Sequence, residues 1–278
     1  MAVILSVKDL GFSFGSTPVL EQISFEVEEG LFYAVLGRNG SGKTTLIHCL
    51  NRILSPVVGR IELLGKNLSL YSRKGIAQLV SLVPQEHMDI FPYSVLDVVV
   101  MGRAPFLKTA ASPSTGDYRI AQSALADLNA VHLAPKNFNR ISGGERQIAL
   151  LARAIAQSTR IMLLDEPTNH LDFNNQFHLL ASIKEQCRTK GISIVASMHD
   201  PNLASFFADR AIMIKNGGIL AQGDPEQTMT AGRISTLYET KITGFRPNGR
   251  QTIFYPRHIV TGPSPGREER TGREKADE

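Results

Sequence analysis

Gly37-Arg38-Asn39-Gly40-Ser41-Gly42-Lys43-Thr44 is the stretch that decides how this 278-residue chain folds. It fits the pattern G-x-x-x-x-G-K-[ST] of a phosphate-cradling loop. The apolar run Leu31 to Leu36 before it reads as a buried strand, and Leu46, Ile47, Leu50, Ile53 and Leu54 after it repeat on one helical face. Glycines let the backbone wrap so that consecutive N–H groups converge on one anion, and the helix start adds its positive dipole end. Gly37, Asn39, Gly40, Ser41, Gly42 and Thr45 would then line the cradle, Lys43 would reach the β- and γ-phosphates, and the Thr44 hydroxyl would ligate Mg²⁺. Strand, loop and helix together imply a bound nucleoside triphosphate.

Composition narrows the class. The chain is 42% hydrophobic and 20% charged, an ordinary globular balance. No apolar run approaches the roughly 18 residues that span a bilayer, and the opening Met-Ala-Val-Ile-Leu-Ser-Val alternates like a strand rather than a signal peptide. Cys49 and Cys187 each fall on the apolar face of a predicted helix, and are read as buried and unpaired in a reducing compartment. The net charge of +4 is dispersed, with no basic stripe carrying interleaved aromatics, which speaks against a nucleic-acid partner.

Other stretches place further chemistry. Residues 3 to 9 and 18 to 27 read as antiparallel strands, with Phe12 and Phe14 on their hairpin. Phe14 suits either stacking on a nucleotide base or packing within the hairpin. Residues 59 to 65 read as a short glycine-bounded strand, and Gln78 to Val83 as another that delivers Gln85 to its end. From about 87 to 158 the pattern is helical: Val95 to Met101, Asp117 to Ala130 and Gly143 to Gln157 form an insertion within an α/β core. Ser142-Gly143-Gly144-Glu145 opens the last of these as a capping box, and its exposed N–H groups could also hold a phosphate. The run Ile161 to Leu164 leads into Asp165-Glu166, two acids at the carboxyl edge of a parallel sheet. Asp165 suits Mg²⁺ and Glu166 suits taking a proton from an attacking water. Phe173, Phe177, Leu180, Ile183 and Cys187 mark one face of a helix that Gly191 ends. The strand Ile192 to Ser197 then brings His199 to the same edge, within reach of a γ-phosphate, while His48, His87, His132, His170, His178 and His258 show no metal-ligand spacing. A hairpin at residues 212 to 218 follows, and residues 263 to 278 have the composition of a disordered tail.

In this order the motifs resemble one family, the ATP-binding subunits of ABC transporters, over residues 3 to 225. Ile141-Ser142-Gly143-Gly144-Glu145-Arg146-Gln147 looks like the family signature LSGGQ, with Ile for Leu and Glu for Gln. The resemblance implies a P-loop NTPase (RecA-like) α/β core with an antiparallel β subdomain and a helical signature subdomain. It gives Phe14 the adenine-stacking position, usually Tyr. Gln85 becomes the Q-loop glutamine that senses Mg²⁺, Glu166 the catalytic glutamate, His199 the switch histidine, and Asn169-His170-Leu171-Asp172 the loop that crosses between subunits. Ser142, Gly143 and Gly144 would contact nucleotide held by another copy, so one set of motifs implies a head-to-tail homodimer binding two ATP. Val83-Pro84-Gln85, residues 93 to 99 and Met101-Gly102-Arg103 look like the importers of iron chelates, haem, cobalamin and molybdate. In those systems separate permease subunits in the membrane dock after the Q-loop and a substrate-binding protein delivers cargo. The chain would sit on the cytoplasmic face of the membrane. The roughly 50 residues after 225 are expected to be an extension packed on the core to about 262, too short for the β-rich regulatory domain of some importers. Two other readings are a permease-free ABC ATPase of translation or DNA repair, and a nucleotide-binding regulator without hydrolysis. The single ATPase unit and lack of heptads oppose the first; Glu166 and His199 oppose the second.

Overall fold

The computed structural model describes residues 2–85, 92–108, 111–169, 171–247 and 251–257. In chain order the elements are β1 (Val3–Phe14), β2 (Thr17–Glu28), β3 (Phe32–Leu36), α1 (Lys43–Leu50), β4 (Val58–Leu63), β5 (Lys66–Asn67), α2 (Arg73–Ala77) and β6 (Val80–Val83). The helical insertion holds α3 (Val95–Val100), α4 (Thr115–Asp127) and α5 (Gly143–Ala156). The core resumes with β7 (Ile161–Asp165), α6 (Phe173–Lys190), β8 (Ser193–Met198), α7 (Pro201–Phe207), β9 (Arg210–Lys215) and β10 (Gly218–Gly223). A C-terminal unit follows: α8 (Pro225–Thr228), α9 (Ala231–Tyr238), β11 (Ile242–Phe245) and β12 (Ile253–Pro256).

Two larger sheets organise these elements. One is antiparallel in the order β2-β1-β4-β5, and the other has six strands in the order β10-β9-β3-β8-β7-β6. Within the second, β9, β3, β8, β7 and β6 run parallel and β10 closes the edge as an antiparallel hairpin partner of β9. All five residues of β3 are buried, as expected of a strand covered on both faces. Their side chains alternate: Phe32, Ala34 and Leu36 enter the core shared with the helical insertion, whereas Tyr33 and Val35 enter the core shared with α1 and the antiparallel sheet. The result is a layered α/β fold in which α1 is packed between the two sheets.

Register sets the site. Leu36 of β3 lies level with Met198 of β8, Asp165 of β7 with Ser197, and Leu164 with Val83 of β6. Four neighbouring strands therefore end at one height, and the loops that leave them share one edge.

Three local expectations change. The helix after the phosphate loop stops at Leu50, because Asn51 caps it and Arg52 turns to φ 54°; Ile53 is left half-exposed while Leu54 packs on the core. Gln78 does not start β6 but caps α2, which Ser72 opens by accepting from the Gly75 N–H. Phe173 lies off the buried face of α6 and is 78% exposed, its ring 5.0 Å from that of Phe177. Cys49 and Cys187 are buried and free. Residues 87, 170, 258 and the tail from 263 lie outside the described residues, as does part of the segment after Gln85.

Candidate active site

The phosphate loop is shaped by close approach. A side chain at Gly37 would collide with Ser41 Oγ and the Ile214 carbonyl, and Gly42 holds φ 102° against the Leu20 side chain. Gly42 is also the N-cap of α1 and offers no side chain to its N–H groups, so those donors face outward. A cavity of about 360 Å³ opens there, lined by Val19, Asn39, Gly40, Gly42, Lys43, Thr44, Thr45, Gln85 and Glu166. Ser41 Oγ is buried without a hydrogen-bond partner among the described residues. A buried hydroxyl beside helix-start amides that no side chain caps is the donor set a polyphosphate would satisfy.

Lys43 is 4% exposed; its ammonium donates to the Gly37 and Arg38 carbonyls at 2.9 and 3.1 Å and lies 3.8 Å from Glu166 Oε1. Burial lowers its pKa, opposed by the charges of Glu166 and Asp165.

Asp165 ends β7 and Glu166 follows it, and the groups that fix them come from α1, from β8 and from the loops around them. Asp165 Oδ1 accepts from Thr44 Oγ1 at 3.1 Å and from Ser197 Oγ at 2.6 Å. Ser197 Oγ in turn accepts from the Glu166 N–H at 2.8 Å. Glu166 sits at φ 50°, in the left-handed region that non-glycine residues rarely adopt, the kind of strain that collects at functional sites. Its carboxylate is where the segments converge. Gln85 Nε2 donates to Oε2 at 2.7 Å, Asn169 Nδ2 donates to Oε2 at 2.5 Å, and His199 Nε2 meets Oε1. With Lys43, four side chains thus meet at one carboxylate that is 7% exposed. Thr44, Asp165 and Gln85 supply oxygen atoms suited to a hard divalent cation.

Other expected residues stand apart. Phe14 is 57% exposed, packs edge-on against Phe12 at 4.9 Å and is not among the cavity's lining residues, where Val19 of β2 appears instead. Ser142 caps α5 in a reciprocal box, donating its N–H to Glu145 at 2.9 Å and accepting from the Glu145 N–H at 3.2 Å. Gly143 is exposed, a Cβ on Gly144 would touch Leu171, and neither glycine lines the cavity. Asp172 caps α6 by accepting from the Asn175 N–H at 2.8 Å. Within one chain, then, the phosphate loop, acids, Gln85 and His199 assemble, whereas Ser142 to Gly144 and Asp172 do not join them.

Sequence reading missed Ser197 and gave Asn169 no individual role. Ser197 leaves a trace, being a hydroxyl in an otherwise apolar buried strand. Asn169 follows Glu166 by three residues in a turn whose Asn169 N–H donates to the Glu166 carbonyl at 3.1 Å, a spacing that brings the side chain back to the acid.

Fold and site together define a P-loop nucleotide-hydrolysing domain. The family described as ABC transporter matches residues 20–169, and the chain belongs to it: it is an ATP-binding, ATP-hydrolysing subunit of that family. It is 36% identical over 240 residues to the hemin import ATP-binding protein of Thermobifida fusca, covering 86% of this chain and 84% of that one. It is also 36% identical over 251 residues to the molybdate import ATP-binding protein of Haemophilus influenzae, covering 90% and 94%. Among solved structures, an ABC transporter described as metal-chelate type, in an inward-facing conformation, superposes with TM-score 0.81 at 34% identity, covering 92% of this chain and 98% of that chain.

Proposed function

We propose that the chain is the ATPase of an importer that takes up a metal chelate, of iron–siderophore or haem type, through a separate membrane permease. The convergence on Glu166 carries the hydrolytic half of this reading. Glu166 accepts a proton from the attacking water as that water adds to the γ-phosphorus of ATP, and ADP and phosphate leave. Gln85 and Asn169 hold Oε2, which leaves Oε1 as the face turned to Lys43 and His199. Lys43 binds the β- and γ-phosphate oxygens, and His199 contacts the γ-phosphate as charge develops there. Thr44 and Asp165, with Gln85 beside them, would hold Mg²⁺, which would supply neutralisation of phosphate charge.

Nucleotide is sandwiched between two copies of the chain. The separation of Ser142, Gly143, Gly144 and Asp172 from the cavity of their own chain favours this, since those residues then serve the site of the other copy. Phe14, exposed beside the cavity-lining strand, serves the adenine. Closing on ATP and opening after hydrolysis drives the permease.

The transport half draws on the names of the relatives, which include haemin and molybdate import. Cargo is recognised by a permease and a substrate-binding protein, and molybdate or cobalamin is the second reading. No described helix is long and apolar enough to cross a membrane, so attachment at the cytoplasmic face runs through the permease. The test is affinity capture of the tagged chain from detergent-solubilised membranes of its source. A polytopic membrane protein at about one copy per chain is expected; recovery only from the soluble fraction, with ribosomes or DNA, contradicts the transporter reading and leaves the ATPase intact.

A further inference from the structure

His199 sits on the two-residue connector His199-Asp200 between the end of β8 at Met198 and the start of α7 at Pro201, with Asp200 as the N-cap. It belongs to neither element, so its backbone is held by whatever bonds it from outside. That hold comes from the C-terminal unit. The Tyr238 hydroxyl, on the last residue of α9, donates to the His199 carbonyl at 2.7 Å. Burial pushes the Tyr238 phenol up, and the charge of Asp200 adds to this, so it remains a donor at any working pH. The next segment grips α7. Asn202 donates from Nδ2 to the Phe254 carbonyl at 3.1 Å and accepts at Oδ1 from the Phe254 N–H at 2.7 Å. Phe254, on β12, is 5% exposed and part of the core. β12 is thus tied to α7, and one hydrogen bond joins α9 to the connector.

We propose that Tyr238 is a positioning residue for hydrolysis: its hydroxyl fixes the His199 main chain so that the imidazole stays against Glu166. The proposal rests on the roles given above to His199 and Glu166. A weaker tie runs in parallel, since Glu239 pairs with Arg38 of the phosphate loop and with Lys215 at 3.3 Å. Arg38 and Glu239 are 53% and 50% exposed, and exposed pairs of long side chains hold geometry poorly. The buried-end tyrosine, not the neighbouring glutamate, is the residue that matters.

Tyr238→Phe keeps the ring and deletes the one donor. The expected result is a kcat three- to tenfold lower, about what one net hydrogen bond supplies, with the KM for ATP and nucleotide affinity in EDTA within about twofold. Amide hydrogen exchange across residues 199 to 203 should rise while that of the phosphate loop stays unchanged. Added to His199→Ala, the same substitution should cost nothing further, because the group it positions is gone. Asn202→Ala, which loosens the second hold on α7, should move kcat and exchange the same way; Glu239→Gln should leave both within about twofold. An unchanged kcat in Tyr238→Phe, or the same loss with and without His199, overturns the proposal. Normal turnover by His199→Ala alone would instead sink the histidine's assigned role, and the exchange measurement would still report whether the hydroxyl holds the connector.

Discussion

Two helices in this chain begin with glycines and a serine, and they are prepared for opposite circumstances. At α1 the N-cap is Gly42, no acid lies in the first turn, and Ser41 Oγ is buried without a partner among the described residues. At α5 the N-cap is Ser142, which pairs with Glu145 in the first turn, and Glu145 also holds Lys136 at 2.8 Å. The first helix leaves its N–H groups for a ligand; the second satisfies one of them itself and sets a carboxylate beside the positive dipole end. The first also lies in a cavity with Glu166 and Gln85, whereas the second opens on an exposed surface. One start keeps its donors open beside the acids, and the other is a self-capped surface, which the proposed pairing of two copies would put against nucleotide held by the second.

Substitutions should separate the two. Ser142→Arg is expected to abolish ATP turnover while nucleotide affinity of the monomer, read by a fluorescent ATP analogue, stays within about twofold. Survival of turnover would break the contrast, because the α5 start would then serve no second site. Lys43→Ala is expected to weaken monomer affinity about 10- to 100-fold, the loss of a charge-assisted phosphate contact. An equal loss from both substitutions would mean the two helix starts bind the same nucleotide in one chain.

Smaller effects sharpen the comparison. Removing the α5 cap with Ser142→Ala should cost about 1 kcal/mol in chemical denaturation. The Glu145 carboxyl is held at about 2, chiefly by its hydrogen bond from Lys136 and then by the Ser142 backbone. Its folded value lies below the ordinary 4.5, so its contribution to stability is present above pH 4.5 and fades as pH falls toward 2. Glu145→Gln should remove that part of the acid-side decline in stability and shift neutral-pH stability by at most about 1 kcal/mol.

What could be read from the sequence was local. The phosphate loop spans eight consecutive residues whose glycines, lysine and threonine each carry their own reason, and Asp165-Glu166 announces itself as charge ending an apolar run. The same holds for Gly191, which ends α6 in the left-handed conformation at φ 65°. What stayed hidden depends on strand register. Ser197 joins Asp165 only because β7 and β8 pair with those residues level, and nothing in either strand alone sets that pairing. Tyr238 meets His199 across 39 positions of chain, and its partner is a main-chain carbonyl that carries no sequence signal. Phe173 misled because it keeps helical spacing with Phe177 yet lies in the first turn of α6, before the core begins.

The most direct test of the account is sizing of Glu166→Gln with and without ATP and Mg²⁺. Deleting the base should slow hydrolysis by about 10²–10⁴-fold, so bound ATP persists and the closed pair accumulates. A monomer is expected without nucleotide and a species of twice that mass with it, reverting when Ser142→Arg is added. A monomer that stays monomeric with ATP bound, or near-normal turnover, would contradict it.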